Sequence, residues 1–373
     1  MFERASFLSR LNRFAVLCEA GGRTFRAHLP NPGRLWEILL PGRILLLKKG
    51  NPRGTPRVWG AIVGKEIICL DTSFANYVAS KLLEEGCIEG FRGFRIERRE
   101  VPLENHRIDL LLRRDFKRLF LEVKSCTLFY GDLAMFPDAV TVRGKEHVEL
   151  MKKVKGAILF VVHSSSPLFF LPDFHTDFDF SLALYHAREE VEIKAVAVRW
   201  EENGTFSFVR ELAIPWSLYE REGQNKGAYL LVGYLPCSRL VEVGKQGVYP
   251  LERGYYVYVG SGMGSLSGRV KRYFRASKKI HWHIDFLSPF LKDIRVIFIR
   301  GSESLECDLA RELGEFSHSV PGFGSSDCSC GSHLFFFSSN PLHNVPFVSL
   351  LLRFRMGRLA EVLKEEIYGI GGH

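Results

Sequence analysis

Three side chains are spaced for metal-assisted chemistry: Asp109 in the run Arg107 to Arg113, and Glu122 and Lys124 in the run Leu119 to Ser125. Both runs have strand composition, and alternate side chains of a strand share a face. Ile108, Leu110 and Leu112 then point one way and Arg107, Asp109 and Leu111 the other. Leu119, Leu121 and Val123 likewise oppose Phe120, Glu122 and Lys124. Closing the hairpin symmetrically around Arg113–Arg118 pairs Leu112 with Leu119 and sets Asp109 opposite Glu122. Facing like charges cost roughly 0.2–1 kcal/mol at exposed sites and more when desolvated. A divalent cation between them removes that cost, and hard oxygen ligands on adjacent strands suit Mg²⁺ or Mn²⁺. Lys124, on the same face, would orient a water or neutralise phosphate charge. A Glu-x-Lys alone is often only a solvated strand face; the facing aspartate turns it into an expected metal site.

Two further groups suit a polyanion. His28, Asn31 and Arg34 flank a Pro-Asn-Pro-Gly turn, with Arg23, Arg26, Arg43, Lys48, Lys49, Arg53 and Arg57 near in sequence. Phe14, Phe25, Trp36 and Trp59 offer stacking surfaces, although any one of them would equally serve to fill a barrel. Later, Arg269, Lys271, Arg272, Arg275, Lys278 and Lys279 occur without an acidic neighbour on and just after an expected helix, Leu266–Ser277. Such a run suits a phosphate backbone. Cys328, Cys330 and His333, with His281 and His283, raise the question of zinc. Structural zinc normally takes C-x₂₋₄-C spacing. The C-x-C here is tighter, and Cys307 completes a set only if the fold brings it close, so zinc is not expected. The alternative is that His281, His283, Asp285, Asp327 and His333 support a phosphate or metal site as acid–base or orienting groups.

These groups need several domains to position them, and 373 residues is too long for one ordinary core. With 46% apolar and 25% charged residues the chain is globular, and its net charge of +9 points to polyanions. The charge is uneven: +7 over residues 1–80, −3 over 81–225 and +5 over 226–373. Short strands at Arg13–Glu19, Thr24–His28, Arg43–Lys48, Arg57–Val63 and Glu66–Asp71, with a brief helix at Leu35–Leu40, fit a small barrel. Thr72–Gly86 reads as a helix, and beyond it strands and helices alternate in α/β fashion. Residues 219–226 are nearly devoid of apolar side chains and read as a linker; a helical tail follows Asn340-Pro341.

The start of the chain, broken by Glu3, Arg4, Arg10 and Arg13, holds no signal-peptide core. The longest uncharged run, beginning at Cys328, contains Asn340, Pro341, Asn344 and Pro346 and is no membrane span. Eight scattered cysteines read as reduced thiols. The expectation is a cytoplasmic protein without a membrane partner.

The run Arg107–Leu112, the run Leu121–Leu128 and the segment Phe136–His147, together with Ala27-His-Leu-Pro-Asn-Pro-Gly-Arg-Leu35, resemble the sugar fermentation stimulation protein (SfsA) family over roughly residues 5–215. The resemblance implies an OB-fold followed by a PD-(D/E)XK-like nuclease domain with Asp109, Glu122 and Lys124 at its core positions. It also implies a further acid, for which Glu84, Glu85 and Glu100 are open choices. Tyr229, Tyr258-Val-Gly260, Arg269 and Glu306 resemble the GIY-YIG nuclease pattern. The segments around His281, Glu306 and Gly322–Leu334 resemble an uncharacterised GIY-YIG-like family. That resemblance implies that Tyr229 and Tyr258 position or deprotonate a water, Arg269 stabilises phosphate charge and Glu306 binds a divalent ion.

The expected organisation is therefore an OB-fold barrel at 1–80, a PD-(D/E)XK-like α/β domain at 81–218, a linker at 219–226, a GIY-YIG-like α/β domain at 227–339 and a helical tail at 340–373. The expected function is metal-dependent hydrolysis of phosphodiesters in nucleic acid, DNA rather than RNA, in repair or recombination. The rival is a non-catalytic DNA-binding regulator of sugar-metabolism genes. The expected nucleic-acid contacts are His28, Asn31, Arg34, Lys271, Arg272, Arg275 and Lys278.

Overall fold

Alternating apolar residues separated by Gly and Pro turns build six strands at the start of the chain. They are β1 (Glu3–Asn12), β2 (Ala15–Ala20), β3 (Arg23–His28), β4 (Ile44–Lys48), β5 (Arg57–Val63) and β6 (Glu66–Cys69). The order β3-β2-β1-β4-β5-β6 closes through a bridge between His28 and Arg57, giving an OB-like barrel around Phe7, Val16, Leu29, Leu45, Leu47 and Ile68. The computed structural model describes residues 2–48, 54–275 and 280–369. Strand β1 has no counterpart in the sequence reading. Its register shifts between Phe7 and Ser9, which breaks the alternation that would have announced it. The expected helix at Leu35–Leu40 is only a turn, opened by Leu35 at φ +53°.

The chain divides into two compact units, residues 1–216 with 359–373 and residues 217–358. The first continues past the barrel with α1 (Phe74–Glu84), β7 (Arg95–Leu103), β8 (His106–Arg114), β9 (Lys117–Cys126), β10 (Leu128–Tyr130) and β11 (Leu133–Phe136). Then come α2 (Val142–Val154), β12 (Ala157–Val162), β13 (Phe169–Pro172), α3 (Phe178–Ala187), β14 (Glu192–Trp200) and β15 (Phe206–Glu211). The main sheet runs β15-β14-β12-β9-β8-β7, with β12 parallel to both neighbours. All six β12 residues are buried, as a parallel strand covered on both faces requires. Helix α1 covers one face through Val78, Leu82 and Leu83, together with Trp59 of the barrel. Helices α2 and α3 cover the other through Val148, Met151, Phe180 and Leu184.

The second unit contains β16 (Gly227–Leu235), β17 (Arg239–Glu242), β18 (Val248–Leu251), β19 (Gly254–Ser261), β20 (Lys292–Arg300), β21 (His318–Ser319) and β22 (Leu334–Phe337). Its antiparallel sheet has the order β20-β16-β19-β22-β21, with β17 and β18 forming a separate pair. Its helices are α5 (Leu266–Lys271), α6 (His283–Leu287), α7 (Glu306–Gly314) and α8 (Val345–Leu352). At the unit boundary lie α4 (Trp216–Glu222) and α9 (Arg358–Tyr368). Residues 219–222 are therefore helix rather than linker. Tyr219 and Glu222 are buried, and Glu222 accepts from Ser302 Oγ and Arg358 Nη1, both at 2.8 Å. The basic helix ends at Lys271 and tightens to a 3₁₀ turn, Arg272–Phe274. There Tyr273 turns inward to Tyr229 and Arg272 to Asp285. Among the described residues, no helix is long and apolar enough to cross a membrane.

Candidate functional site

The β8–β9 hairpin closes in the register expected from its sequence: Leu110 pairs with Leu121, Leu111 with Phe120 and Leu112 with Leu119. The paired residues end at Leu110 and Leu121, one position short of the expected Asp109–Glu122 pair. The simple alternation does not persist through Asp109, however. Leu110 and Leu112 pack on the α1 side, whereas Ile108 packs with α2 and α3. Across the sheet on β7, Glu100 takes φ +53°, a left-handed conformation that glutamate adopts rarely.

Each carboxylate is held by its own set of donors. Asp109 accepts from Asn76 Nδ2 of α1 at 2.7 Å and from the Val123 amide at 2.8 Å. Burial, and then the Glu122 charge, push its pKa up to about 6 against these hydrogen bonds. Glu122 is 4% exposed and accepts from Lys124 Nζ at 2.6 Å and from His147 Nδ1 of α2. Burial pushes Glu122 up, but the His147 hydrogen bond and the Lys124 charge outweigh it and leave the group below its ordinary value. Arg143 donates to His147 Nε2 at 3.3 Å, which fixes the tautomer whose Nδ1–H faces Glu122. The second carboxylate oxygen, Oε2 of Glu122, is buried without a hydrogen-bond partner.

Asp109, Val123, Lys124 and Ser125 line a cleft of about 650 Å³ with Asn76 of α1, Asn31 to Gly33 of the barrel, and the segment 136–143. Arg13 and Arg143, both exposed, add positive charge to its walls. Asn31 does not reach into the cleft as a free ligand. It is 5% exposed, and its side chain donates to Leu70 O and accepts from the Gly33 amide, closing its own turn. Arg10 grips the same turn by donating to the carbonyls of Gly33 at 2.6 Å and Arg34 at 2.7 Å. Asp138 meets it from the other side, accepting from the Leu35 amide. A Cβ on Gly33 would lie 2.2–2.7 Å from the Asp138 carboxylate. Gly33→Ala should therefore cost about 1–3 kcal/mol, read as a lower denaturant midpoint at unchanged m-value; an unchanged midpoint would mean that the turn shifts freely.

Other expected contacts are committed elsewhere. Arg57 is bidentate to Asp71, Arg43 donates to Ile38 O and Ile62 O, and Arg34 stacks on Trp36 at 4.9 Å. Trp59 is fully buried against Phe2 and Trp200, Phe14 is 48% exposed, and His28 is half-buried at the end of β3. Lys49, Arg53, Lys278 and Lys279 lie outside the described residues. Of the three open acids, Glu84 is exposed and pairs with Lys81, Glu85 is exposed beside Cys87, and Glu100 faces Arg107 at 3.9 Å. The side chain that α1 delivers to Asp109 is instead Asn76. Asn76 and His147 had no assigned role from sequence.

In the second unit, Tyr229 is fully buried and its hydroxyl meets those of Tyr273 and Arg269 side-chain N–H groups. Gly260 passes so close that a Cβ there would fall 2.4 Å from the Tyr229 hydroxyl. Its missing side chain thus makes room for the phenol. Burial pushes Tyr229, Tyr258 and Tyr273 up, which favours their protonated phenol forms. Arg269 stacks 3.6 Å over Trp282, with its Nε unpartnered. Arg272, expected on the backbone-gripping face, is instead paired at 3.0 Å with Asp285, which also accepts from the His281 and Trp282 amides. Asp285 is thus a buried cap rather than an acid–base group. Lys271 and Arg275 are exposed, His281 and Asp327 likewise, and His283 Nδ1 accepts from the Gly324 amide. Glu306, at the start of α7, lies 3.2 Å from His333 Nδ1.

Sequence comparison places this architecture among known proteins. Residues 8–69 match the SfsA N-terminal OB domain, 73–204 the sugar fermentation stimulation protein RE domain, and 228–351 a domain of unknown function, DUF123. A sugar fermentation stimulation protein homolog of Methanothermobacter thermautotrophicus is 38% identical over 194 residues, covering 50% of this chain and 81% of the relative. The chain belongs to the sugar fermentation stimulation protein family. The family homolog of Pyrobaculum arsenaticum is 34% identical over 216 residues, covering 56% of this chain and 92% of the relative. The solved structure of Pyrococcus furiosus SfsA in complex with Ca²⁺ matches with a TM-score of 0.54 and 29% identity. It covers 57% of this chain and 96% of that one. The DUF123 segment lies beyond the part that the SfsA models match.

Proposed function

We propose that this SfsA-family protein is a cytoplasmic, divalent-ion-dependent nuclease. Its central domain would be of the PD-(D/E)XK type and its C-terminal domain GIY-YIG-like, and DNA is the preferred substrate, with repair or recombination as its setting. The observation that carries the reading is the electrostatically coupled pair Asp109 and Glu122 on adjacent strands, with Asp109 lining the cleft and Glu122 Oε2 buried and unpartnered. Paired carboxylates, one orphaned acceptor and a raised Asp109 fit the hard-oxygen preference of Mg²⁺ or Mn²⁺. A relative solved in complex with Ca²⁺ favours the same class of ion. Family membership supports nucleic acid as the partner.

A bound divalent ion would stabilise the negative charge that develops on a scissile phosphate. The chain's own residues would do the rest. Asn76 and the Val123 amide orient Asp109, and His147 orients Glu122. Lys124, 14% exposed and on the cleft wall, places an ammonium where a phosphate oxygen would come to lie. Arg13 and Arg143 would hold flanking phosphates, and the Asn31–Gly33 turn forms the opposing wall. In the second unit, Tyr229, Tyr258 and Arg269 would donate to a second phosphate beside Glu306, the candidate ligand for another divalent ion there.

The test is cleavage of single-stranded, flap and branched DNA and of matched RNA by the full chain, with Mg²⁺, with Mn²⁺ and with chelator. Cleavage that needs the ion and is lost in Asp109→Ala supports the reading. Tight binding with no cleavage of any substrate would overturn it in favour of a DNA-binding regulator.

A further inference from the structure

Cys307 lies some twenty residues before Cys328, Cys330 and His333, yet the ligand atoms of all four lie within 4.8 Å of one another. Ligands at 2.0–2.3 Å from a tetrahedral Zn²⁺ sit about 3.5–3.8 Å apart. His333 Nε2 lies 3.4 Å from Cys328 Sγ, close to that tetrahedral edge. The four side chains come from two places, the first turn of α7 and the loop leading into β22.

We infer that these four residues bind one structural Zn²⁺. Three soft thiolates and one imidazole are a closed zinc set, and they would disfavour Mg²⁺ or Ca²⁺. On binding, the three thiols enter as thiolates and release their protons to solvent, while His333 enters neutral. A second observation comes from the other side of the imidazole. His333 is 2% exposed, and its buried Nδ1 makes no hydrogen bond of good geometry, lying 3.2 Å from Glu306 Oε1. Metal-bound histidines usually direct the distal N–H to a carboxylate. With Nε2 on the ion, Nδ1 must carry the proton and so donates to Glu306.

The loop supplies a structural reason. Residues 321–333 form turns and bends with no strand or helix, and Phe323 is the large apolar side chain they bury. A chain segment with so little core is where a metal cross-link adds most. The ion would tie the loop to α7 beside the pairing of Leu334 with Tyr258. Glu306 would thereby be oriented through His333, which makes His333 a positioning residue for the tyrosine–arginine cluster. The inference does not rest on cleavage at either site.

The test uses the full chain purified without added metal or chelator. Elemental analysis should find stoichiometric zinc in the wild type and in Cys237→Ser, whose exposed thiol lies outside the cluster. Cys307→Ser and Cys330→Ser should lose at least five-sixths of it. Because such variants can also misfold, wild-type protein stripped by chelator should be titrated with Co²⁺. A thiolate-to-cobalt charge-transfer band saturating at one equivalent supports the site. Absence of zinc together with absence of that band overturns the inference. So does peptide mass mapping that finds Cys307 in a disulfide with Cys328 or Cys330 in protein kept from oxidants.

Discussion

Glu122→Gln should lower divalent-dependent cleavage by about three orders of magnitude or more, with the chain still folded. Glutamine keeps the shape of the side chain but removes the charge on which Lys124 and His147 converge. Those donors then face a neutral amide, at a stability cost of about 1–3 kcal/mol, which is small beside the expected loss of rate. The effect on Asp109 separates this site from a merely structural one. Its carboxyl is held near pH 6 first by burial and next by the Glu122 charge, so removing that charge should move it back toward the ordinary carboxylate range. Calorimetric titration with Mn²⁺ should then show weaker binding whose pH midpoint lies lower than in the wild type. Single-turnover cleavage within tenfold of wild type would exclude the central cleft as the cutting site and leave the Tyr229–Glu306 cluster as the remaining candidate.

The hairpin was legible from its turn back to Leu110 and Leu121 because its register there follows from two local rules, alternation along each strand and a short symmetric turn; the alternation breaks at Asp109. The partners that make the carboxylates functional were not. Asn76 and His147 arrive on α1 and α2, and nothing in a helical pattern announces which polar residue will dock against which strand. The same logic explains the misassigned residues. Asn31, Arg272 and Asp285 stand in conspicuous polar motifs, but the fold spends their hydrogen bonds on its own turn, 3₁₀ segment and cap. Motif reading finds side chains with chemical capacity; only packing decides whether that capacity faces a ligand or the backbone. The cysteine cluster shows what local spacing leaves out: Cys307, from another element, comes together with Cys328, Cys330 and His333 only in the fold.

Acidification from pH 7 to pH 4 should remove about 3 kcal/mol of stability through His163 alone. This residue is fully buried at the end of β12, and burial pushes its pKa down to about 3. Its Nδ1 accepts from the Trp200 indole at 3.0 Å, so Nε2 carries the proton and donates to Ser125 Oγ at 3.0 Å. Protonating Nδ1 would set two donors against each other in a fully buried site. The unfolded chain, with an ordinary histidine pKa near 6.5, binds a proton that the folded chain refuses. The stabilisation is therefore fully present above about pH 6.5 and is lost progressively as pH falls toward 3, at about 1.4 kcal/mol per unit. Asp109 works in the opposite sense: raised to about 6, it destabilises the metal-free fold as pH rises through that value and so offsets part of the loss. Asp71 and Glu66, both lowered in the fold, add to it at the acidic end. The difference between wild type and His163→Gln cancels those carboxylates and isolates the imidazole. Urea unfolding at pH 7 and pH 4 should show the wild type losing about 3 kcal/mol more than the variant; equal losses would mean that His163 is not held neutral. Because Ser125 is bonded to His163 and lies beside Lys124 on the cleft wall, the same protonation should loosen β9 at the candidate catalytic strand. Any acid limit on cleavage should then track the unfolding of this buried pair as well as the titration of Asp109.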